Sequence, residues 1–477
     1  MADGAVAPAP ASIEPGAGSG AVARQRGGAE GSSHRGDGEP RVAPLSVASA
    51  GSGLSERSRA VQDLPGAAAS SPAGSSPPCP PPPCPPPPSA RVRDGLRAEL
   101  APRPVERAVR DATADLLWAA CRPEPDVEVA RRAARRADPD LAAAAAVAHG
   151  VAGLLRRALP RAGLPAGWEQ ASRRIDTVAQ VQTMQEVLVL PQAVALALSP
   201  LGRAGLEPVV VKGAALVQRY PERGLRPMVD IDLLLPAADH GRALQTLAGA
   251  GWRRLPQPGG GRYDAVLTHP AVPALVLELH HGLQGWHERA NRLDAKELWR
   301  RRRPGRCLGQ PAWVLAPEEE MLLLAAHAGK PFHGFSRLIW LTDLAVVVAT
   351  AGSRLDWDRV AALARRSRTV SVLAVALAMA GRLGLQAPAE LVELPTRGWR
   401  RAALLPLLVP DWPLRFVGAD PAPVPFHLRF ALADTSWRRL VLSAGGCYGR
   451  SRSQQLVWPV LALGRSARRW HRLRSRR

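Results

Sequence analysis

Two aspartates stand two residues apart in an otherwise apolar stretch, Val229–Leu235. On a β-strand, the side chains of Asp230 and Asp232 would project from one face and Ile231 from the other. Two carboxylates on one buried face repel each other unless a cation lies between them. Mg²⁺ meets that need, because it binds one or two carboxylates together with phosphate oxygens. An edge strand with a solvated face is the alternative explanation.

A phosphate-binding turn is predicted just upstream of the aspartates. The run Val209–Val211 is typical of a buried strand, and the small residues Gly213 and Ala214 after it indicate a turn into a helix. Small residues let the backbone approach a ligand, and a helix N-terminus offers unpaired N–H groups to phosphate. Lys212 is one of three lysines among 63 cationic residues. A compact ammonium approaches a single phosphate oxygen where a planar guanidinium does not, although chance also explains one lysine.

A third carboxylate is expected on a strand further along the chain. Glu278 is the only acid in the stretch Leu275–His281, and His280 would lie on the same face. Facing the aspartate pair, Glu278 would serve as a metal ligand or as a base toward an attacking hydroxyl. A solvated or salt-bridged strand residue is the alternative.

In this order, the motifs resemble the uncharacterised nucleotidyltransferase family of the polymerase-β-like nucleotidyltransferase superfamily. The similar segments are KGAAL at 212–216, RPMVDIDLLL at 226–235, LELHH at 277–281 and HAGKPFHGFSRLIWLTD at 327–343. The resemblance covers about residues 175–350. It implies the superfamily's short mixed sheet with helices on one side. It also implies transfer of a nucleoside monophosphate from a nucleoside triphosphate (NTP) to an acceptor hydroxyl, with release of pyrophosphate.

Carried over residue by residue, the resemblance assigns a role to each of these positions. It implies two Mg²⁺ (or Mn²⁺) ions and an NTP donor. The catalytic and metal-binding residues would be three carboxylates, Asp230, Asp232 and Glu278. The nucleotide-binding residues would be Lys212, Gly213, Ala214 and Arg226.

Ala214 departs from the pattern of the wider superfamily, in which a serine or a second glycine follows the glycine of the turn. Without that hydroxyl, phosphate would be bound by backbone N–H groups, Lys212 or Arg226. A catalytically inactive nucleotide- or RNA-binding protein on the same scaffold is therefore the alternative function. The sequence does not specify the acceptor, which could be a small molecule, a peptide, a protein or RNA.

The elements around these motifs predict an α+β fold. A small mixed β-sheet nucleotidyltransferase core is expected between N- and C-terminal helical regions, after a disordered N-terminal tail. The predicted divisions are a Pro/Ala/Gly/Ser-rich tail at 1–95, a helical region at 96–205, the α/β core at 206–312 and a helical region with a basic tail at 313–477. The predicted strands are Pro208–Val211, Met228–Leu235 and Ala274–His280. The predicted helices include Asp176–Leu198, Ala237–Ala250, one beginning at Pro317, Ser336–Ala349, Trp357–Arg366 and Val370–Leu383.

Composition excludes several classes of protein. The formal net charge is +22, but arginine supplies all but three of the 63 cations. Codon bias of a GC-rich genome explains that choice, so the charge alone is weak evidence for a nucleic-acid partner. No apolar run approaches the roughly 20 residues that span a bilayer, and the N-terminus lacks the features of a secretory signal. Five scattered cysteines favour neither a disulfide framework nor a zinc site. A cytoplasmic protein without a transmembrane segment is expected.

Further predictions concern polar residues between 327 and 343. His327, Lys330 and His333 could line the acceptor pocket or contact phosphate, or could be satisfied polar residues at a domain boundary. Asp343 is predicted to be structural, either paired with Arg226 or Arg337 or capping a neighbouring helix.

The remaining predictions concern a glycine loop, a cysteine, two basic stretches and the proline-rich arm. Gly259–Gly261 is predicted to be a flexible hairpin loop, and Cys307 an inert thiol. The basic stretches 299–303 and 465–477 could contact nucleic acid or could simply be solvated. The proline-rich arm before residue 90 could dock a partner or be a passive tail.

Overall fold

The computed structural model describes residues 105–256, 264–283, 293–330, 333–393, 399–417 and 431–434. All of them belong to one unit of the chain, Pro81–Arg477. The predicted disordered tail, the glycine loop Gly259–Gly261 and the basic segment 465–477 lie outside the described residues.

Helices precede the sheet. They are α1 (Arg107–Ala120), α2 (Val127–Ala134), α3 (Pro139–His149), α4 (Ala152–Ala162), α5 (Glu169–Met184) and α6 (Leu190–Arg203), with a π-helical segment at Gln185–Val189 between the last two. The side chains of Asp126 and Asp138 accept hydrogen bonds from the first turns of α2 and α3, as N-caps do. The π segment divides the predicted helix Asp176–Leu198 just before Pro191. Proline lacks an N–H group for the helical ladder, so the turn before it widens.

The sheet has seven strands in the order β3-β4-β5-β2-β1-β7-β6. They are β1 (Val209–Val211), β2 (Asp230–Leu234), β3 (Arg253–Arg254), β4 (Asp264–Thr268), β5 (Val276–His280), β6 (Arg303–Cys307) and β7 (Gln310–Val314). Two short helices, α7 (Gly213–Leu216) and α9 (Ala295–Arg300), and the longer α8 (Ala237–Gly249) lie between strands. β2 pairs in parallel with β5 and antiparallel with β1. The sheet is therefore mixed, as predicted.

The sequence predicted the three central strands and missed four others. β6 and β7 form an antiparallel hairpin closed at Leu308 and Gly309, both of which have positive φ. Arginine, proline and glycine fill most of β6, so it shows none of the β-branched pattern that identifies strands. The pairing partner, rather than local propensity, defines such a strand.

Six helices with described bounds follow the sheet. They are α10 (Pro317–Ala328), α11 (Leu338–Ala351), α12 (Trp357–Ser367), α13 (Val370–Ala380), α14 (Ala389–Val392) and α15 (Trp399–Leu404). Pro317 begins α10 as predicted, but the three glutamates of its first turn are buried rather than solvated. Glu319 is paired with Arg301 and Arg359, and Glu320 with Arg219.

The two faces of the sheet pack against different cores. Val210, Ile231 and Leu233 lie in one core with α6 and α8. Val209, Val211 and Leu234 lie in a larger core that also contains residues of the N- and C-terminal helices. Helices therefore pack against both faces of this sheet, whereas the resemblance implied helices on one side. Because the side chains of a strand alternate, Asp230 and Asp232 share the face of Leu234.

One helical stretch among the described residues, Glu169–Arg203, is long and apolar enough to cross a membrane by length and composition. It spans α5, the π segment and α6. Of its most apolar window, 44% is buried inside the protein. A core helix has the same character, so this stretch is weak evidence for a membrane span.

Candidate active site

Strand pairing brings the three predicted carboxylates to one face of the sheet. Asp232 and Glu278 are Cα partners on the parallel strands β2 and β5, and Asp230 lies opposite Val276. Residues in register on paired strands project to the same side. The side chain of Asp232 is only 3% exposed, whereas that of Glu278 is 28% exposed. Asp232 therefore lies at the bottom of the acidic face, and Glu278 lies nearer solvent.

A lysine and a histidine bind the buried carboxylate. Oδ1 of Asp232 accepts hydrogen bonds from Nε2 of His280, at 2.8 Å, and from Nζ of Lys212. The same Nε2 of His280 lies 3.3 Å from Oε2 of Glu278. His280 thus bridges the two strands on the face that carries the acids.

The acids perturb one another and their cationic partners. Burial and then the charges of Asp232 and Glu278 raise the pKa of Asp230 to about 6, against the opposing charges of Lys212 and Arg226. Burial also disfavours the charged form of Asp232, but Lys212 and His280 outweigh it and hold the pKa well below the usual range. Burial opposes protonation of His280, yet its hydrogen bonds to Asp232 and Glu278 leave the pKa of His280 raised. The three carboxylates therefore lie close together, and the cationic side chains beside them do not fully offset their mutual repulsion.

Lys212 is held in a strained backbone conformation. Its φ is 57° and its ψ is −135° at the N-terminus of α7, a region that favours glycine. Such a residue costs about 1–3 kcal/mol and persists where the surrounding structure fixes it, often at functional sites. Burial lowers the pKa of Lys212, but the charges of Asp232, Glu278 and Asp230 raise it above its usual value. The side chain is therefore an ammonium directed at the acids.

The predicted phosphate turn is tight, and its helix is short. A methyl group at Gly213 would lie 2.7 Å from Sδ of Met228 and 3.1 Å from a terminal nitrogen of Arg226. Glycine is thus required by close approach. The side chain of Ala214 is buried in the core with α6 and α8, so any contact with phosphate would come from its backbone. Because α7 has only four residues, its dipole is weaker than a full helix would supply.

Arg226 is engaged in a buried cluster next to the site. Its Nε and a terminal nitrogen donate to the two oxygens of Asp343, at 2.8 and 2.9 Å. The hydroxyl of Tyr220 donates to the same carboxylate at 2.7 Å. The predicted pairing of Asp343 with Arg226 is confirmed. We call Tyr220, Arg226 and Asp343 the seam cluster, because it joins the segment before β2 to α11.

The end of α10 lines a pocket together with residues of the sheet that contact the site. Lys212 and His280 line this pocket from the sheet side, and His327 and Lys330 line it from the end of α10. Leu283 and Leu323 are among its apolar lining residues. His333 does not line it, but Nδ1 of His333 donates to the carbonyl of His327 at 2.8 Å. Two of the three residues predicted to form an acceptor pocket thus share a pocket with Lys212.

The basic stretch 299–303 is largely engaged in internal contacts. The guanidinium of Arg302 lies over the rings of Trp299 and Trp313, at 3.6 and 4.7 Å from the centroids, and is paired with Glu207. Arg301 is paired with Glu297 and Glu319. These contacts account for two of the arginines structurally. The thiol of Cys307 donates to the carbonyl of Ala214 at 3.3 Å, and burial raises its pKa to about 12.

The acidic face has the donor set of a divalent cation site. One ligand atom from each of Asp232, Glu278 and His280 lies within 4.8 Å of the other two. Carboxylate oxygens are the ligands preferred by Mg²⁺ and Mn²⁺. The residues present therefore fit such an ion, and excess negative charge favours it.

A family model described as uncharacterised nucleotidyltransferase matches residues 135–384, just over half of the chain. The chain belongs to this family. Membership of the uncharacterised nucleotidyltransferase family, expected from the motifs, is confirmed, and it supports general nucleotidyl transfer as the class of activity. The search of curated proteins gave no match.

Three solved structures are similar to parts of this nucleotidyltransferase. A solution structure of the antibiotic-resistance factor ANT(2'')-Ia is 18% identical, covering 37% of this chain and 91% of that one, with a TM-score of 0.25. A crystal structure of ANT(2'')-Ia with adenylyl-2''-tobramycin is 15% identical, covering 37% and 97%, with a TM-score of 0.27. A crystal structure of an antigenic nucleotidyltransferase-like protein from Paracoccidioides brasiliensis is 14% identical, covering 44% and 98%, with a TM-score of 0.29. Likenesses this weak carry no argument about the site.

Sequence reasoning assigned no role to His280, although its position was visible. It follows Glu278 by two residues on the same strand, so strand alternation places both on one face. Its bond to Asp232 was not visible, because that bond depends on the register of β2 against β5.

Proposed function

We propose that the protein transfers a nucleoside monophosphate from an NTP to an acceptor hydroxyl, using divalent cations held by Asp230, Asp232 and Glu278. The observation that supports the proposal is the convergence of ligand atoms on one face of paired strands, within 4.8 Å for Asp232, Glu278 and His280. Asp230 adds a further carboxylate on the same face, two residues from Asp232. The family supplies the reaction class.

Glu278 and Lys212 have different roles in the proposed reaction. Among Asp232, Glu278 and His280, Glu278 has the most exposed side chain. We therefore assign to Glu278 the role of the base that accepts the proton of the acceptor hydroxyl. The resulting oxygen attacks the α-phosphorus, and the bond to pyrophosphate breaks. Lys212, buried and positively charged, supplies a cation to the phosphates. Bound divalent cations would offset the charge on the phosphates and lower the pKa of the hydroxyl.

Backbone and side-chain contacts hold this arrangement. The close approach of Gly213 to Met228 and Arg226 packs the turn that follows Lys212 against the segment leading into β2. The seam cluster fixes Arg226, four residues before Asp230. Arg226 therefore orients the segment that leads into β2, and we propose that its charge also contributes to phosphate binding.

The experiment is incubation with each α-labelled NTP and Mg²⁺ or Mn²⁺, alone and with cell extract. Labelled product and pyrophosphate are expected from the wild type and absent from Asp232→Asn. Asp239→Asn is the matched control, because Asp239 lies on α8 and is paired with Arg242 rather than with the site. Transfer that survives in folded Asp232→Asn would contradict the proposal. NTP retained without release of pyrophosphate would instead indicate the inactive nucleotide-binding alternative, which Ala214 favours.

A further inference from the structure

The ring of His280 contacts carboxylates, whereas the rings of four other described histidines bond to backbone carbonyls. Those four are His149, His240, His269 and His333. Nε2 of His280 lies 2.8 Å from Oδ1 of Asp232 and 3.3 Å from Oε2 of Glu278. A histidine that only completes a core satisfies backbone groups, as those four do. One ring nitrogen beside two carboxylates is instead a set of nitrogen and oxygen ligands for a metal ion.

The separations of these ligand atoms fit a single ion. Nε2 of His280 and one oxygen each of Asp232 and Glu278 all lie within 4.8 Å of one another. Ligand atoms about 2.1 Å from one ion lie about 3.0 Å apart at a right angle and about 3.4 Å apart at a tetrahedral angle. The distances from Nε2 to the two oxygens, 2.8 and 3.3 Å, are close to these values. Only small side-chain movements would therefore bring all three atoms into contact with one ion.

The backbone of His280 is fixed on an inner strand of the sheet. β5 lies between β4 and β2, and His280 is in register with Leu234 of β2 and with Asp264 of β4. The carbonyl of His280 accepts the N–H of Leu235 at 2.9 Å. A ligand on a paired strand keeps its position when an ion enters, whereas a loop residue is placed less precisely. His280 is thus held in place before any ion binds.

An imidazole ligand changes which ion the acidic face favours. Mg²⁺ binds oxygen ligands, whereas imidazole nitrogen is also a good ligand for first-row transition-metal ions. Nε2 carries a hydrogen when it donates to Asp232, and an entering ion would take the place of this hydrogen, which leaves to solvent as a proton. Among the first-row ions, Mn²⁺ binds most weakly to a given set of ligands. Preference for Mn²⁺ over Mg²⁺ is therefore the strictest test of selectivity in this site.

Burial acts in the same direction as the nitrogen ligand. The side chains of Asp232 and His280 are only 3% and 7% exposed. An ion that contacts both of them must exchange bound water for protein ligands. Mg²⁺ loses its water reluctantly and usually keeps several molecules. A buried site with a nitrogen ligand thus favours a transition-metal ion.

We propose that His280 is a direct ligand, with Asp232 and Glu278, of one divalent ion at the acidic face. Its nitrogen makes this position select a first-row transition-metal ion over Mg²⁺. This inference rests on the proposed function, since it concerns the cation site on which that function depends. It adds a nitrogen ligand to the carboxylates and a preference between ions.

The first measurement detects the nitrogen ligand directly. Electron spin-echo envelope modulation of Mn²⁺ bound to the full chain, prepared without a polyhistidine tag, reports a nitrogen nucleus coordinated to the ion. We expect nitrogen modulation in the wild type and none in His280→Gln. His240→Gln is the matched control and should keep the modulation, because His240 lies on α8 and bonds to the carbonyl of Leu279.

The second measurement compares the two ions. Mg²⁺ is titrated into the protein loaded with Mn²⁺, and electron paramagnetic resonance of the released Mn²⁺ follows the exchange. We expect the wild type to bind Mn²⁺ at least about tenfold more tightly than Mg²⁺, and His280→Gln to lose most of that ratio. His240→Gln should keep the ratio of the wild type.

Each outcome decides the inference. A wild type without nitrogen modulation or without bound Mn²⁺ would overturn it, and so would modulation or an ion ratio that is unchanged in folded His280→Gln. If His280→Gln does not fold, modulation retained by both His240→Gln and His281→Gln supports the inference, and its loss in either overturns it. Modulation that depends on His280 without any nucleotidyl transfer would uphold this inference and contradict the proposed function. Transfer supported by Mn²⁺ that has no nitrogen ligand would do the reverse.

Discussion

The seam cluster and the acidic face both bury carboxylates, but they neutralise them differently. In the seam cluster, one carboxylate, Asp343, receives two hydrogen bonds from Arg226 and one from Tyr220. On the acidic face, Asp232 is paired with Lys212 and His280, and His280 also lies beside Glu278. Asp230 adds a third carboxylate on the same face. The carboxylate of the seam cluster is neutralised by an arginine of the same cluster. The acidic face has excess negative charge, which is what a site for cations requires.

Two buried histidines show the same contrast. Nδ1 of His149 accepts from the N–H of Leu338 at 3.0 Å, and its Nε2 donates to the carbonyl of Pro413. Burial lowers its pKa to about 4, so it is neutral. His280 lies beside carboxylates, which raise its pKa. Where helices are joined, the buried group is either neutral, as His149 is, or paired with an opposite charge, as Asp343 is. Negative charge accumulates instead on one face of the sheet.

The largest expected effect tests the structural side of this contrast. Asp343→Ala leaves the buried guanidinium of Arg226 without its partner, and we expect it to lower the free energy of unfolding by about 3–5 kcal/mol. Chemical denaturation measures this. Asp140→Ala is the control, because Asp140 is exposed and paired with Arg174, and its loss should be below about 1 kcal/mol. Equal effects would show that the seam cluster is not a buried structural pair.

The next effect concerns protonation of His149. The unfolded chain takes up a proton on this histidine near pH 6.5, but the folded protein does so only near pH 4. Acidification through this window therefore favours unfolding, by up to about 3 kcal/mol from this group. Denaturation at pH 7 and pH 4 should show that His149→Gln loses less stability than the wild type by about this amount. If the stability of His149→Gln and that of the wild type depend on pH in the same way, protonation of His149 does not contribute to acid unfolding.

The smallest effect tests the functional side. In metal-free buffer at pH 7, Asp230→Asn removes one of the mutually repelling buried charges. We expect it to raise the free energy of unfolding by roughly 1 kcal/mol, because the amide keeps the shape of the carboxyl group. A residue of the seam cluster would respond oppositely. If Asp230→Asn destabilises the protein as a structural ion pair would, the contrast fails.

The sequence was sufficient for the central strands and for the carboxylates on them. Alternation within VDIDLLL and the lone Glu278 in an apolar run are local signals. The strands β6 and β7 and the bond of His280 to Asp232 depend on which segments pair, and that is a property of the whole chain. The same holds for Lys330, since only the packing of α10 against the sheet brings it to the pocket of Lys212. The α+β fold class is confirmed. The domain boundaries, the roles of the site residues and the cytoplasmic location stay predictions.

The central claim is that the acidic face binds divalent cations, and direct titration with Mn²⁺ tests it. Electron paramagnetic resonance of free Mn²⁺ measures the bound fraction for the wild type, Asp232→Asn and the control Asp239→Asn. We expect the wild type and the control to bind with the same affinity. Asp232→Asn should bind at least about tenfold more weakly, because it loses the carboxylate at the bottom of the site. Equal affinity of folded Asp232→Asn and the wild type would contradict the account.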